Sequence, residues 1–301
     1  MKKTLIKLFI ILFGLTGCNS NNTKMPTVLK IGIYSGDQPI QTKENIKTFQ
    51  QYLTKELNMP VEFVFTTDYT TLVEGIQRNK LDVVQLSPFA YVLATQKPCL
   101  IPLVTIGDHH QRTQYHSFIF TYPGSPINNI EDLKKHSKEL TLCFADPASA
   151  SGHLIPRSYL KSIGLNPENS FKQVVFAGSH PASLLSVKNK KIDIGCSTTE
   201  LGFERLIVSG SMKKEDLKTL WISEPIINDA ICASRNLDPA LVEKIKKAYL
   251  DVDQKNPNAF AKSIARYYSD AKQMQFVPTY DSLFNGIRII AESFKELKTI
   301  K

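Results

Sequence analysis

The stretch Asp146-Pro147-Ala148-Ser149-Ala150-Ser151-Gly152-His153-Leu154-Ile155-Pro156 concentrates hydroxyls and small residues between two apolar segments. Before it, Leu140-Thr141-Leu142-Cys143-Phe144 is short and apolar, as a buried strand is. After it, Tyr159, Leu160 and Ile163 fall at helical spacing. The spacing predicts a strand-to-helix turn. The first turn of a helix leaves N–H groups unpaired at the positive end of the helix dipole, which favours an anion. Ser149 and Ser151 add hydroxyl donors, and no cation stands in the turn itself. Such a turn suits a small oxyanion held by neutral donors. The same residues would also serve as an ordinary Ser/Asp N-cap. His153, in the first helical turn, is expected beside the site or in solvent.

Strands and helices alternate on either side of this turn. Residues 28–34, 61–65, 81–86 and 100–106 read as strands, with helices over 43–57, 69–79 and from Ser87-Pro88 through Ala94. Residues 171–176 and 191–196 are further strands, and 240–252, 257–268 and 280–297 read as helices. The alternation predicts parallel sheets with helices on both faces. Ligands of such sheets sit beyond the C-terminal strand ends, which makes Tyr34 and Ser87 candidate site residues in the first half. Extended segments near 120–121 and near Asp229 read as two crossovers. The expected fold class is α/β: two Rossmann-like domains, with 121–229 inserted between 27–120 and 230–301. A cleft between domains joined by two crossovers is a natural hinge and ligand site.

The composition narrows the function. The chain has 301 residues and a formal net charge of +9, with basic residues spread along it rather than gathered in an aromatic-interleaved block. That pattern argues against nucleic acid as a partner. Lys2, Lys3 and Lys7 precede the apolar run 8–15, too short to span a membrane stably, so residues 1–17 read as a signal peptide. Its end, Leu15-Thr16-Gly17-Cys18, resembles a bacterial lipobox, which implies lipidation of Cys18 and a tether over 18–26. Cys99, Cys143, Cys196 and Cys232 would then stand outside the cytoplasm, either as disulfides in one of three pairings or as four buried thiols. His109, His110 and His116 lack a partner carboxylate at helical spacing, so neither a metal nor a cofactor is expected. GxSxG, HExxH, GxxxxGK[ST] and CxxC are all absent, which argues against an enzyme.

The chain resembles the phosphonate-binding proteins of bacterial ABC transporters over nearly all of its length after the signal peptide. The resemblance rests on 146–152 with Pro156, on Ser125-Pro126-Ile127-Asn128-Asn129, on Ala177-Gly178-Ser179-His180 followed by Lys191-Ile192-Asp193, and on 223–229. It implies the type II periplasmic-binding fold and a monomer that delivers a phosphorus oxyanion to a permease. It implies that Ser149, Ala150 and Ser151 hold the phosphonate group, although Ala150 replaces a family hydroxyl. It further implies that Tyr115 enters the cleft from a crossover, that His180 faces the ligand, and that Glu200 and Asp229 bind the amino end of a 2-aminoethylphosphonate-like molecule. Leu86 stands where the family has a tyrosine. Phosphate, phosphite or another small anion are alternative ligands, and a ligand-sensing signalling module is an alternative role.

Overall fold

A computed structural model describes residues 23–35, 39–108, 110, 114–265, 268 and 271–294. Residues 1–17, read above as a signal peptide, and Cys18 lie outside the described residues, as does His109. The first sheet contains β1 (Leu29–Tyr34), β2 (Val61–Thr66), β3 (Val83–Leu86), β4 (Leu100–Asp108), β12 (Ala230–Ser234) and β13 (Met274–Pro278), in the order β13-β4-β12-β3-β1-β2. The second contains β6 (Ser117–Thr121), β7 (Thr141–Phe144), β8 (Gln173–Phe176), β9 (Ile194–Thr198) and β10 (Lys218–Ile222), in the order β10-β6-β9-β7-β8. A two-stranded ribbon of β5 (Gln114–Tyr115) and β11 (Ile226–Ile227) joins the two lobes.

The α/β fold class stands, with three departures in detail. Both sheets are mixed. β1, β2 and β3 are parallel, but β12, returning from the second lobe, enters antiparallel between β3 and β4. The crossing expected near 120–121 lies at Gln114–Tyr115, because β6 pairs with β9 and β10 of the second sheet. All five β6 residues are buried, and a fully buried apolar run reads alike in a crossover and in a sheet. The chain after Ser234, whose pattern reads as helices alone, also carries a strand, since β13 closes one edge of the first sheet. That strand is five residues long and ends in Pro278, a residue tolerated at an edge but not inside a sheet.

Packing follows from patterning. The helix Tyr69–Gln77 buries Tyr69, Leu72, Val73 and Ile76 on one face, and Asp68 caps it by accepting from Thr71 N–H at 2.7 Å. Each sheet is covered by apolar clusters on both faces, the first by Leu29, Phe49 and Ile245 on one side and Leu72, Val84 and Phe89 on the other. The second lobe has two smaller cores, around Ile119, Leu142 and Phe144 and around Phe118, Phe120 and Leu184. The cluster around Leu72, Val84 and Phe89 also takes in Ala148, Ala150 and Leu154 of the second lobe, so the lobes meet along part of their faces and leave a small space beside that contact for a ligand.

Candidate functional site

A cavity of about 50 Å³ lies between the lobes, where strands end. Tyr34, Tyr69 and Ser87 line it from the first lobe, Tyr115 and Asp229 from the crossovers, and Ser149, Ser151 and His180 from the second lobe. Tyr34 and Tyr69 stack with ring centroids 4.5 Å apart, forming one wall.

The turn after β7 is built as a cap. Ser149 has extended backbone, and its Oγ accepts from Gly152 N–H at 2.9 Å. The chain then makes a π-helical turn, Ala150–Leu154, before the α-helix Ile155–Ser162. Such turns recur at functional sites because they re-aim backbone groups. A Cβ on Gly152 would stand 2.5 Å from Ala145 Cβ and 2.9 Å from His180 Cε1, so only glycine lets this turn pack beneath the histidine. His180 Nε2 lies 3.2 Å from Ser149 Oγ, and its Nδ1 lies 3.0 Å from Ser197 Oγ. Burial lowers the His180 pKa to about 4, so the ring is neutral at pH 7 and donates through one nitrogen only.

Behind the turn runs a buried chain of hydrogen bonds. Arg157 Nε donates to His153 Nε2 at 2.8 Å, and His153 Nδ1 lies 2.7 Å from the Pro147 carbonyl oxygen. Arginine can only donate, so the proton sits on Nδ1 and is given to Pro147. Burial, reinforced by the Arg157 charge, lowers the His153 pKa to about 3. Arg157 is itself buried, pairs with Glu168 and lies over the Phe144 ring. His153 is thus neither at the ligand nor in solvent; it braces the turn from the rear.

The first lobe grips the same turn from the front. Ser87 Oγ donates to the Ala148 carbonyl at 2.7 Å while accepting from Ala90 N–H at 3.2 Å as the cap of Pro88–Ala94. The Asp146 carboxylate accepts from Ala148 N–H at 2.7 Å and, across the cleft, from Tyr69 N–H at 3.4 Å. Burial lifts its pKa to about 6. Tyr115 is hydrogen-bonded to Ser151, and burial, with Asp229 nearby, pushes its phenol well above the usual range. Asp229 accepts from Gln85 Nε2 at 3.3 Å.

Two residues expected at the ligand are not part of the cavity lining. Glu200 does not line the cavity. Its carboxylate accepts from His116 N–H at 2.9 Å, lies 2.6 Å from His116 Nδ1 and receives the Thr199 hydroxyl. Burial alone would raise its pKa, but the Thr199 and His116 hydrogen bonds outweigh it and hold the group low. Ala150 is fully buried and also outside the lining. Conversely, Thr198 and Arg205 line the cavity without having been anticipated. The signal for Thr198 was present: hydroxyls at 197–199 close one strand, as those at 149 and 151 follow another. Arg205 brings a cation to the cavity, where the turn 146–156 itself offers only neutral donors. Cys99, Cys143, Cys196 and Cys232 are all free thiols, three of them buried and Cys99 half-buried. Among the described residues no His/Cys/Asp/Glu cluster could hold a metal, and no helix is long and apolar enough to cross a membrane.

The family model for the periplasmic substrate-binding protein of phosphonate ABC transporters matches residues 31–284. The phosphate-import protein PhnD of Mycolicibacterium smegmatis is 27% identical over 278 residues, covering 89% of this chain and 86% of that protein. The phosphonates-binding periplasmic protein of Escherichia coli is 29% identical over 223 residues, 74% of this chain and 65% of that one. The structure of PhnD1 from Prochlorococcus marinus in complex with methylphosphonate superposes with a TM-score of 0.78 at 21% identity, over 90% of this chain and all of that one. The fold is therefore the type II periplasmic-binding fold, and the chain belongs to the family of periplasmic substrate-binding proteins of phosphonate ABC transporters, which bind a small ligand outside the cytoplasm and work with a permease.

Proposed function

We propose that this chain captures a small phosphorus oxyanion, of the size of phosphate, phosphite or methylphosphonate, and hands it to its permease. The observation that carries the reading is the Ser149–Ser151 turn, braced from behind and opening onto a small enclosed cavity. On a scale where one water needs about 10–15 Å³, the cavity of about 50 Å³ admits roughly three to five water-sized groups. A tetrahedral headgroup with at most a methyl substituent matches that room. Neutral His180, the two serines and the Arg205 cation all favour an anion.

The relatives' names span both phosphate import and phosphonate binding, in keeping with a shared headgroup site. A second reading, 2-aminoethylphosphonate, is favoured by the Asp229 carboxylate in the cavity wall. It is weakened by Glu200, whose carboxylate is turned to His116. The leader 1–17 and Leu15-Thr16-Gly17-Cys18 support a protein tethered to a bacterial membrane through lipidated Cys18.

The test is calorimetric titration of the chain lacking residues 1–22 with phosphate, phosphite, methylphosphonate and 2-aminoethylphosphonate. The reading expects one of the first three to bind most tightly. Tightest binding of the aminophosphonate establishes the second reading, and no binding of any of the four refutes both.

A further inference from the structure

The end of β9 repeats the architecture of the end of β7. The two strands are parallel neighbours, with Cys143 opposite Gly195. β7 leads to the cap Ser149 and the π-helical turn Ala150–Leu154, while β9 ends on Thr198, the cap of a second π-helical turn, Thr199–Glu204. His180 stands between them, one ring nitrogen near Ser149 Oγ and the other near Ser197 Oγ.

The two caps differ in what their hydroxyls do. Ser149 Oγ accepts from the backbone of its own turn at 2.9 Å. Thr198 makes no side-chain cap bond. Its Oγ1 is buried, has no hydrogen-bond partner among the described residues, and belongs to a residue 2% exposed that lines the cavity. Buried hydroxyls are nearly always satisfied, because leaving one unsatisfied costs free energy. Thr198 Cγ2 lies 3.2 Å from where a Cβ on Gly202 would stand, so the methyl packs against that glycine.

We propose that Thr198 is a ligand-binding residue, whose hydroxyl donates to an oxygen of the bound phosphorus oxyanion alongside Ser149 and Ser151. The inference rests on the phosphorus-oxyanion reading above and adds a second strand end to it. A phosphonate group presents three oxygens, and the turn 149–151 offers two hydroxyls. Thr198 supplies a third from the neighbouring turn, where the bound anion in exchange satisfies a hydroxyl that the protein leaves unmet.

The test uses Thr198→Val, which keeps the shape and removes the hydroxyl, and Thr198→Ser, which keeps the hydroxyl and removes the methyl. Titration with phosphate and methylphosphonate is paired with thermal unfolding of the ligand-free proteins. Thr198→Val should bind the preferred anion roughly ten- to a hundredfold more weakly, the scale of one hydrogen bond to a charged group. Its ligand-free unfolding midpoint should not fall, since the hydroxyl has no protein partner to lose. Thr198→Ser should recover most of the affinity. Parental affinity in Thr198→Val overturns this proposal alone. A valine variant that loses affinity together with ligand-free stability, unrescued by serine, overturns it as well, because the role is then structural. A parent chain that binds no phosphorus oxyanion overturns the site reading and takes this inference with it.

Discussion

Replacing Ser149 by alanine probes the centre of the site, and the structure sets how large the effect should be. The Ser149 hydroxyl holds two jobs. It accepts from Gly152 N–H at 2.9 Å, closing the cap of the following helix. Its single proton is left for His180 Nε2, 3.2 Å away, or for a ligand oxygen. A hydrogen bond to a charged group contributes about 1.5–3 kcal/mol. Here the proton leaves an existing partner when the anion arrives, so the gain belongs at the lower end, about 1.5–2 kcal/mol. That corresponds to roughly ten- to thirtyfold in affinity. Losing the cap costs the protein about 1 kcal/mol, whether or not ligand is present. For a chain of this size that lowers the unfolding midpoint by roughly 2–4 °C. Calorimetric titration with the preferred oxyanion and scanning calorimetry of the ligand-free protein read the two effects separately. Parental affinity in both Ser149→Ala and Ser151→Ala, with the midpoint lowered in the first, would show that the turn is a cap and nothing more. The anion would then sit elsewhere.

Asp229→Asn should weaken any ligand that offers a P–OH or ammonium proton and relax discrimination against fully ionised sulfate, because a carboxylate in the wall repels an anion without a proton to share. Glu200→Gln should leave phosphate and methylphosphonate affinity close to parental; a loss matching that of Asp229→Asn would return Glu200 to the site. The unfolding midpoint should fall as pH drops below 6.5. His153 and His180 have folded pKa values lowered to about 3 and about 4, so the stability they lend is present above 6.5 and lost on acidification, roughly 3 kcal/mol each by pH 4. Asp146, raised to about 6, acts in the opposite sense: its contribution is present in acid and lost as pH rises through about 6, so Asp146→Asn should steepen the fall, and a parental midpoint that rises between pH 6.5 and 4 refutes the assignment. Cys18→Ala should abolish metabolic labelling of the protein by acyl chains, and label persisting on the variant would rule out this residue as the lipid site.

Much of this architecture was legible in local pattern. Short apolar runs mark β1, β3, β7 and β9, and hydroxyls after β7 mark the turn that ends at the cavity. What stayed hidden depends on partners distant in the chain. Nothing near Glu200 indicates that His116, 84 residues earlier, arrives to take its carboxylate. The antiparallel entry of β12 and the edge position of β13 are decided by how the chain returns from the second lobe, not by their own residues. The π-helical character of the turns after Ser149 and Thr198 has no counterpart in residue spacing. The burial of Arg157, which looks like any helical surface arginine, depends on His153, Glu168 and Phe144 converging on it.

The grip of Ser87 on the Ala148 carbonyl and of Asp146 on Tyr69 N–H makes the turn a shared part: it belongs to the second lobe by sequence and is clasped by the first. Separating the lobes breaks those two bonds in the same movement that draws the turn's donors away from Tyr34, Tyr69 and whatever lies between. If the lobes part as rigid bodies, unloading is a single event rather than a gradual loosening, and a permease that pulled them apart would shorten the lifetime of the loaded protein without having to touch the cargo.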